Sequence, residues 1–232
     1  MNAALEYNDN GCLLWSLDCP GAFARGRSRE EAVSKLPADI AAWCRWSWQP
    51  LPLGEVLIVE EKYQPDMKVE DADSDILFAS ERRPMSREEY EILRSLVLRS
   101  ARDFDALYAS IPDPDAPLGE NRTTFYGAYP NTARTMYEHT NRVTAYYVGE
   151  LEAEVDNLPG FYENRVNGLN AIEAIPDYLN LPVIDGSYDE LWSLRKVLRR
   201  FLWHDRIHAR AMYRRAKAVW GDMIPDPFRF EG

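Results

Sequence analysis

The spacing of apolar residues changes near residue 80, and this change constrains the fold most strongly. Before it, the segment Cys12–Asp18 alternates apolar and polar residues, as a half-buried strand does. After it, from Ser86 onward, apolar residues recur every three or four positions, which is typical of amphipathic helices. We therefore predict an α+β chain, with a small sheet-and-helix unit over residues 1–80 and an antiparallel four-helix bundle over residues 81–232.

The N-terminal part predicts a small sheet and one helix. A turn signal at Asn8–Gly11 separates two strand-like segments, and Ser28 with Glu31 forms a capping box that opens a helix. Pro37 falls inside this helix, so we expect a kink or a break there. The acidic stretch 64–75 predicts a linker or long loop. Strands are expected at residues 2–8, 12–18, 55–63 and 76–79.

Four helices are predicted in the C-terminal part. The first follows a capping box of Ser86 with Glu89, and the fourth follows a capping box of Ser187 with Glu190. The fourth helix ends at Gly221, with two prolines beyond it. A proline-rich loop at 112–130 follows the first helix. The helices are expected at about residues 86–111, 131–156, 162–175 and 187–220.

The charge and the apolar runs exclude several classes of partner. The 232-residue chain carries a formal net charge of −11, with 7 basic against 14 acidic residues up to residue 80 and 20 against 24 after it. Both parts should repel nucleic acid and anionic membrane surfaces. No apolar run approaches the roughly 20 residues of a membrane span. Three cysteines without a metal-binding spacing, Cys12, Cys19 and Cys44, are expected to be reduced thiols in a cytoplasmic protein.

The three histidines of the chain are the candidate metal ligands. His204 and His208 lie four residues apart on the inward stripe of the fourth predicted helix, so they share one face. His139 lies on the apolar stripe of the second. Neutral imidazoles suit zinc, nickel, iron or copper, and three ligands leave one position open. The alternative is that His204 and His208 are buried, hydrogen-bonded core residues and that His139 is an unrelated, partly exposed residue near a helix start. Asp205 stands where a zinc protease carries glutamate, so the motif is not of that type.

A family resemblance favours the metal. The segment from Ser86 to Trp220 resembles the DinB-like, or YfiT-like, four-helix metalloproteins, through Tyr137–Thr140 and through His204–His208. The resemblance implies that His139, His204 and His208 bind a divalent transition metal, such as zinc, nickel, iron or manganese. It also implies metal-dependent thiol S-transfer on a small-molecule substrate or low-molecular-weight thiol.

Two alternatives to the S-transferase stay open. One is a metal-dependent hydrolase. The other is a non-enzymatic, metal-stabilised binding or stress-response module, in which Glu138, Asp205 or Glu150 closes the metal site as a fourth ligand. An enzyme would instead keep the fourth position open beside a pocket with polar groups.

The N-terminal unit resembles the HicB-like antitoxin fold. The resemblance rests on Leu17–Gly26, which contains a Pro-Gly turn and a short strand, and on the capped segment Ser28–Ala32. It implies a β-sheet with one helix. No DNA-binding segment follows, so we expect a reused scaffold, a ligand-binding module or a dimerisation element, and a homodimer stays open.

Several other side chains are candidates for contact with a ligand. Arg142, Tyr146 and Glu150 of the second predicted helix are placed to face the site or to pack in the core. Arginines of the fourth helix are expected to form an outward band, which either pairs with acids or binds a carboxylate-bearing substrate. These arginines are Arg195, Arg199, Arg206, Arg210 and Arg214.

Overall fold

The protein has a mixed α+β fold, which confirms the predicted class. The computed structural model describes residues 1–72, 74–119, 123–124 and 127–231. Its internal contacts divide the chain into two compact units, one formed by Met1–Ala79 with the C-terminal residues from Arg229, the other by Ser80–Phe228. A four-stranded sheet and one helix lie in the first unit, and four further helices are described in the second.

The sheet of the first unit combines antiparallel and parallel pairing. Its strands are β1 (Asn2–Asn8), β2 (Gly11–Ser16), β3 (Phe23–Gly26) and β4 (Leu57–Tyr63). They lie in the order β3-β2-β1-β4, with β1 parallel to β4 and the other pairs antiparallel. Every residue of β2 is buried, which places the core of the unit at the middle of the sheet.

One helix, α1 (Arg29–Ser47), packs against β2 and β3. The Ser28 side chain accepts a hydrogen bond from the Glu31 amide, as the sequence predicts. Of the kink or break expected at Pro37, the break is wrong, since α1 continues through the proline as one helix. Leu36 and Ile40 are fully buried on either side of the proline, and this packing offsets the hydrogen bond that Pro37 cannot donate.

One of the two predictions for the end of the first unit is wrong. Residues 64–72 form a loop, one of the two alternatives expected there, with a 3-10 turn at Val69–Asp71; Met67, Val69 and Ala72 are buried, so the segment is not a free linker. Residues 76–79 form no strand. Ile76, Leu77 and Phe78 are buried without ladder pairing, so the short apolar run indicates burial and not strand structure.

The second unit is built from four helices. They are α2 (Arg87–Ala109), α3 (Ala133–Gly149), α4 (Phe161–Glu173) and α5 (Leu194–Trp220). Helices α2 and α3 each pack against both α4 and α5. The capping box of Ser86 with Glu89 opens α2 as predicted, with both of its hydrogen bonds present.

Two helices are shorter than predicted. Helix α3 ends at Gly149 and not near residue 156, and Glu152 beyond it adopts a left-handed backbone with φ of 61°. Helix α5 begins at Leu194 and not at Ser187, because the Ser193 side chain accepts from the Lys196 amide and caps it.

Short two-stranded ladders occupy two of the connections. The long loop after α2 contains β5 (Thr123–Thr124) and β6 (Gly127–Ala128), and the connection before α5 contains β7 (Ile184–Asp185) and β8 (Leu191–Trp192). Over the part of the chain that the structure describes, no helix has the length and apolar character needed to cross a membrane.

Candidate metal centre

The structure brings the three histidines together between α3 and α5. The ring centroid of His139 lies 5.2 Å from that of His204 and 4.8 Å from that of His208, and the last two are 4.5 Å apart. One nitrogen from each ring can be chosen so that the three nitrogens lie within 4.8 Å of one another. Imidazoles at these separations could hold one ion.

Helical spacing and packing place each ring. His204 and His208 are one turn apart on the buried face of α5, where Phe201 precedes them and Met212 follows. Both histidines are mostly buried, with 7% and 8% of their surface exposed. His139 comes from α3, which packs against α5, and is partly exposed. The cluster therefore has two covered ligands and one nearer to solvent.

All three imidazoles are neutral at physiological pH. Burial lowers the pKa of His139 to about 4, with a smaller contribution from Arg142. Burial also holds the pKa of His204 and of His208 well below its ordinary value. His208 and His139 lower the pKa of His204 further, and His139 lowers that of His208. The neutral imidazole is the form that binds a metal, so the folded chain presents the ligands in the required state.

One nitrogen of the cluster lacks a hydrogen bond. His204 Nδ1 is buried and has no partner among the described residues. A buried polar atom left in this way costs about 1–3 kcal/mol. Three neutral nitrogen donors, one of them without a hydrogen-bond partner among the described residues, could hold a divalent transition metal.

The structure gives none of the candidate fourth ligands a place in the cluster. Glu138 is exposed, Asp205 pairs with Arg165, and Glu150 accepts a hydrogen bond from the Ser187 amide. In the described ranges, the group of potential ligand atoms contains the three imidazoles and no carboxylate or thiol. Asp205 follows His204 directly, but adjacent helical residues point about 100° apart, so it faces α4 instead.

A buried ion pair involves Asp205, the residue that follows His204. Arg165 Nη2 of α4 lies 2.6 Å from Asp205 Oδ1 of α5, and both side chains are fully buried. The guanidinium also lies 4.5 Å from the ring centroids of Phe161 and Phe201. Burial raises the pKa of Asp205, and the neighbouring guanidinium opposes that shift. Arg165 was missed from the sequence, because nothing in its spacing distinguishes it from a surface arginine.

The predicted outward arginine band is wrong in part. Arg199 and Arg206 are each only 3% exposed. Arg199 forms a buried ion pair with Glu81, and Arg195 pairs with Glu89 at 2.8 Å. A helix packed on two neighbours buries most of its circumference, so a spacing rule for one outward face fails here. Arg214 is exposed.

Other cations lie nearer to the histidines. Arg200 is one turn before His204 on α5, and Arg215 is two turns after His208 on the same face. The Arg200 guanidinium lies 4.9 Å from the ring centroid of Trp203, whose ring is 5.8 Å from that of His204. These two arginines were missed, although their spacing of four and seven residues from a histidine could have identified them.

Tyr146 and Arg142 of α3 are two further candidates for contact with a ligand. The Tyr146 ring packs edge-on against Trp192, 5.9 Å between centroids, and not against the histidines. Its neighbour Tyr147 lies 6.2 Å from the His204 ring. Arg142 is exposed one turn after His139.

The cysteines lie outside this site. Cys12, Cys19 and Cys44 are buried in the first unit, with 4.0 Å between the sulfurs of Cys19 and Cys44. Burial, with the neighbouring Cys44, raises the pKa of Cys19 to about 12, which keeps its thiol protonated and unreactive.

Comparison of the chain with protein-family models, with curated proteins and with solved structures found no match. Function must therefore be inferred from the site itself.

Proposed function

We propose that His139, His204 and His208 bind one divalent transition metal, and that α2 to α5 form an antiparallel four-helix bundle of the DinB-like type around it. The observation that carries the proposal is the convergence of every histidine in the chain on one point between two helices. Chance packing rarely buries neutral imidazoles against one another, because each needs hydrogen-bond partners that its neighbours cannot all supply.

We infer that the protein is a metal-dependent thiol S-transferase acting on small molecules. When bound, a divalent ion supplies Lewis acidity, which lowers the pKa of a thiol enough to give a nucleophile at neutral pH. The chain supplies three neutral ligands and leaves a position that no described carboxylate fills. Tyr147 and Trp203 flank His204 with aromatic surface, which excludes water from that side. An incomplete protein ligand set favours chemistry over a purely structural ion.

We propose that the first unit is a HicB-like scaffold. A sheet with one helix on β2 and β3 is the arrangement that the resemblance implies. The first unit takes no part in the proposed chemistry, since its cysteines are buried thiols.

Elemental analysis of protein purified without a histidine tag tests the metal. We expect about one equivalent of a transition metal in the parent and none in His204→Ala. Val197→Ala is the control, because Val197 is fully buried on α5 and its truncation destabilises the helix without removing a ligand. Metal retained by Val197→Ala and lost from His204→Ala supports the site. No metal in the parent after incubation with zinc, nickel and manganese contradicts it.

A thiol-transfer assay separates the enzyme from a binding module. Zinc-loaded protein is given cysteine and 1-chloro-2,4-dinitrobenzene, so that a carbon–sulfur bond forms, chloride leaves, and the thiol proton passes to solvent. The S-transferase predicts a rate above background that chelation abolishes. Stoichiometric metal with no rate on any thiol and electrophile pair would support the non-enzymatic module, and hydrolysis of ester probes instead would support the hydrolase.

A further inference from the structure

The outer strand of the four-stranded sheet presents a free edge. Strand β4 is last in the strand order, and among the described residues only β1 pairs with it. The exposed residues of β4 include Val59, Glu61, Lys62 and Tyr63. Main-chain N–H and C=O groups along such an edge are a template for pairing with another strand.

The hydrogen bonds of β4 show which residues turn their main-chain groups outwards. The amide of Gln64, directly after β4, donates to the Tyr7 carbonyl of β1. From Glu60 onward, β4 follows β1 without a register shift. Since successive residues of a paired strand direct their main-chain groups to opposite sides, those of Tyr63 and Glu61 point away from β1.

Apolar surface is concentrated beside this edge. Six of the large apolar side chains that are exposed in the described ranges come from residues 48–63. Leu57 and Val59 of β4 are 61% and 53% exposed, and Tyr63 at its end is 49% exposed. The other three precede β4, and they are Trp48, Leu51 and Leu53. Exposed apolar surface gathered in one place marks an interaction site, as scattered side chains do not.

The charges of β4 are complementary to those of a second β4 that runs antiparallel. When Glu61 lies opposite Glu61 of a second copy, Glu60 of each copy faces Lys62 of the other. In the same register Val59 faces Tyr63. A shift by two residues keeps the outward groups aligned, but it places Glu60 opposite Glu60 or Lys62 opposite Lys62 and creates no opposite-charge pair. Charge therefore selects one register.

The two Glu61 side chains at the centre of this register do not oppose it. In each copy Glu61 forms an ion pair with Arg29, the first residue of α1. The centre therefore holds two carboxylates and two guanidinium groups, which carry no net charge. Lys62 lies 3.6 Å from Asp75 of its own copy, so its ammonium group would bridge Asp75 and Glu60 of the second copy.

We propose that this edge binds a second copy of the chain, through antiparallel pairing of β4 with β4 about an axis at Glu61. The outward main-chain groups of Glu61 and Tyr63 gain partners, and the exposed side chains of Val59 and Tyr63 cover each other. The two sheets then form one continuous sheet across the dimer. Every residue of this interface belongs to the first unit, so the dimer does not depend on the metal.

Sedimentation equilibrium of the full chain at micromolar concentrations tests the dimer. We expect twice the monomer mass for the parent. Lys62→Glu turns both opposite-charge pairs into like-charge pairs and should raise the dimer Kd about tenfold. Adding Glu60→Lys exchanges the charges and should restore the parent Kd. Lys35→Glu is the matched control, because Lys35 is exposed and donates to the Arg25 carbonyl of β3, at the opposite edge of the sheet.

Cysteine cross-linking tests the register. Residues that exchange hydrogen bonds across an antiparallel pair have Cα atoms about 5.5 Å apart, within the reach of a disulfide. Glu61→Cys should therefore cross-link two copies when diamide takes up the two thiol hydrogens. Lys62→Cys should not, because Lys62 lies diagonal to Lys62 of the second copy, at about 7–8 Å. The parent controls for the three native thiols, which are buried.

Several outcomes would overturn the dimer. A parent that is monomeric at these concentrations would do so and leave the edge to a different chain. Equal effects of Lys62→Glu and Lys35→Glu, or equal cross-linking of the two cysteine variants, would do so as well. Restored dimerisation of the charge-exchanged variant shows that the loss in Lys62→Glu is not unfolding. His204→Ala should dimerise as the parent does, and metal binding by a monomeric parent would leave the proposed function standing.

Discussion

His139, His204 and His208 share one physical environment, since each ring lies within 5.2 Å of the other two, measured between centroids. The pKa of His139 is about 4 in the folded chain against an ordinary value of 6.5. Between these two values the unfolded chain binds a proton that the folded chain does not. The stabilisation is therefore complete above pH 6.5 and is lost as the pH falls towards 4.

This difference predicts how the metal-free protein responds to acid. Between pH 7 and pH 5, His139 alone should remove roughly 2 kcal/mol from the free energy of unfolding. His139→Gln should lose less stability over this interval than the parent, by about that amount. Asp205, whose pKa is raised, acts in the opposite sense but is common to both proteins. Urea unfolding of both chelated proteins at pH 7 and pH 5 measures the two losses of unfolding free energy. Equal losses in the parent and in His139→Gln would contradict the prediction.

We expect a large loss of stability when Asp205 of the Arg165–Asp205 pair is replaced by asparagine. Asp205→Asn leaves a fully buried guanidinium without its counter-charge, which should cost about 3–5 kcal/mol of stability. Asp115→Asn is the matched control, because the Arg134–Asp115 pair has the same 2.6 Å separation on the exposed surface. Its loss should be barely measurable. Similar losses for the two variants, by urea unfolding, would show that burial does not govern the pair.

Sequence reasoning found the histidines but not the residues that support them. His204 and His208 could be predicted because they occupy positions of an apolar stripe with period 3.6. Arg165 and Asp205 could not, since they come from different helices and only packing brings them together. The arginine band failed for a related reason, because Arg199 finds its buried partner at Glu81, far away in the sequence.

At the scale of elements, α5 shows how a start signal can mislead. Ser187 with Glu190 satisfies the capping-box pattern, but the helix begins seven residues later behind Ser193. Glu190 instead accepts a hydrogen bond from the buried Lys196 ammonium at 3.0 Å. A 3-10 turn at Ser187–Asp189 and strand β8, which pairs with β7, occupy the residues before Ser193. The two-residue capping box therefore did not determine the helix start, because Glu190 and its neighbours form tertiary contacts and strand pairing instead.

The true cap of α5 is open to a direct test. Ser193→Ala should lower the free energy of unfolding by about 1 kcal/mol, because the Lys196 amide loses its acceptor. Ser187→Ala should change the free energy of unfolding by less than about 0.5 kcal/mol, since Ser187 is exposed and does not cap α5. Chemical denaturation of the two variants and the parent shows whether α5 begins after Ser193 or at Ser187. A larger loss for Ser187→Ala would place the helix start where the sequence predicted it.

Long periodic elements were predictable and short irregular ones were not. The strands β1, β2 and β4 and the helices α1, α2 and α4 follow the expected positions closely. The errors fall at helix ends and at short apolar runs such as residues 76–79, where local pattern is weak and tertiary packing decides.

At the scale of the whole molecule, net charge describes the surface and not the site. The −11 of the chain argued against binding to nucleic acid and to anionic membrane surfaces. Burial is the largest cause of the depressed pKa values of the histidines, followed by neighbouring imidazoles for His204 and His208 and then by arginines. Composition is an average over all residues, so it could not reveal which groups lie near the histidines.

The central claim is that one metal ion engages all three histidines. Because the chain has no other histidine, NMR of protein labelled with ¹⁵N only in histidine reports on this cluster alone. Titration of the chelated parent with zinc should shift the ring nitrogens of His139, His204 and His208 together and saturate at one equivalent. Shifts confined to one or two rings, or spectra unchanged by zinc, would contradict the claim and leave the histidines as core residues.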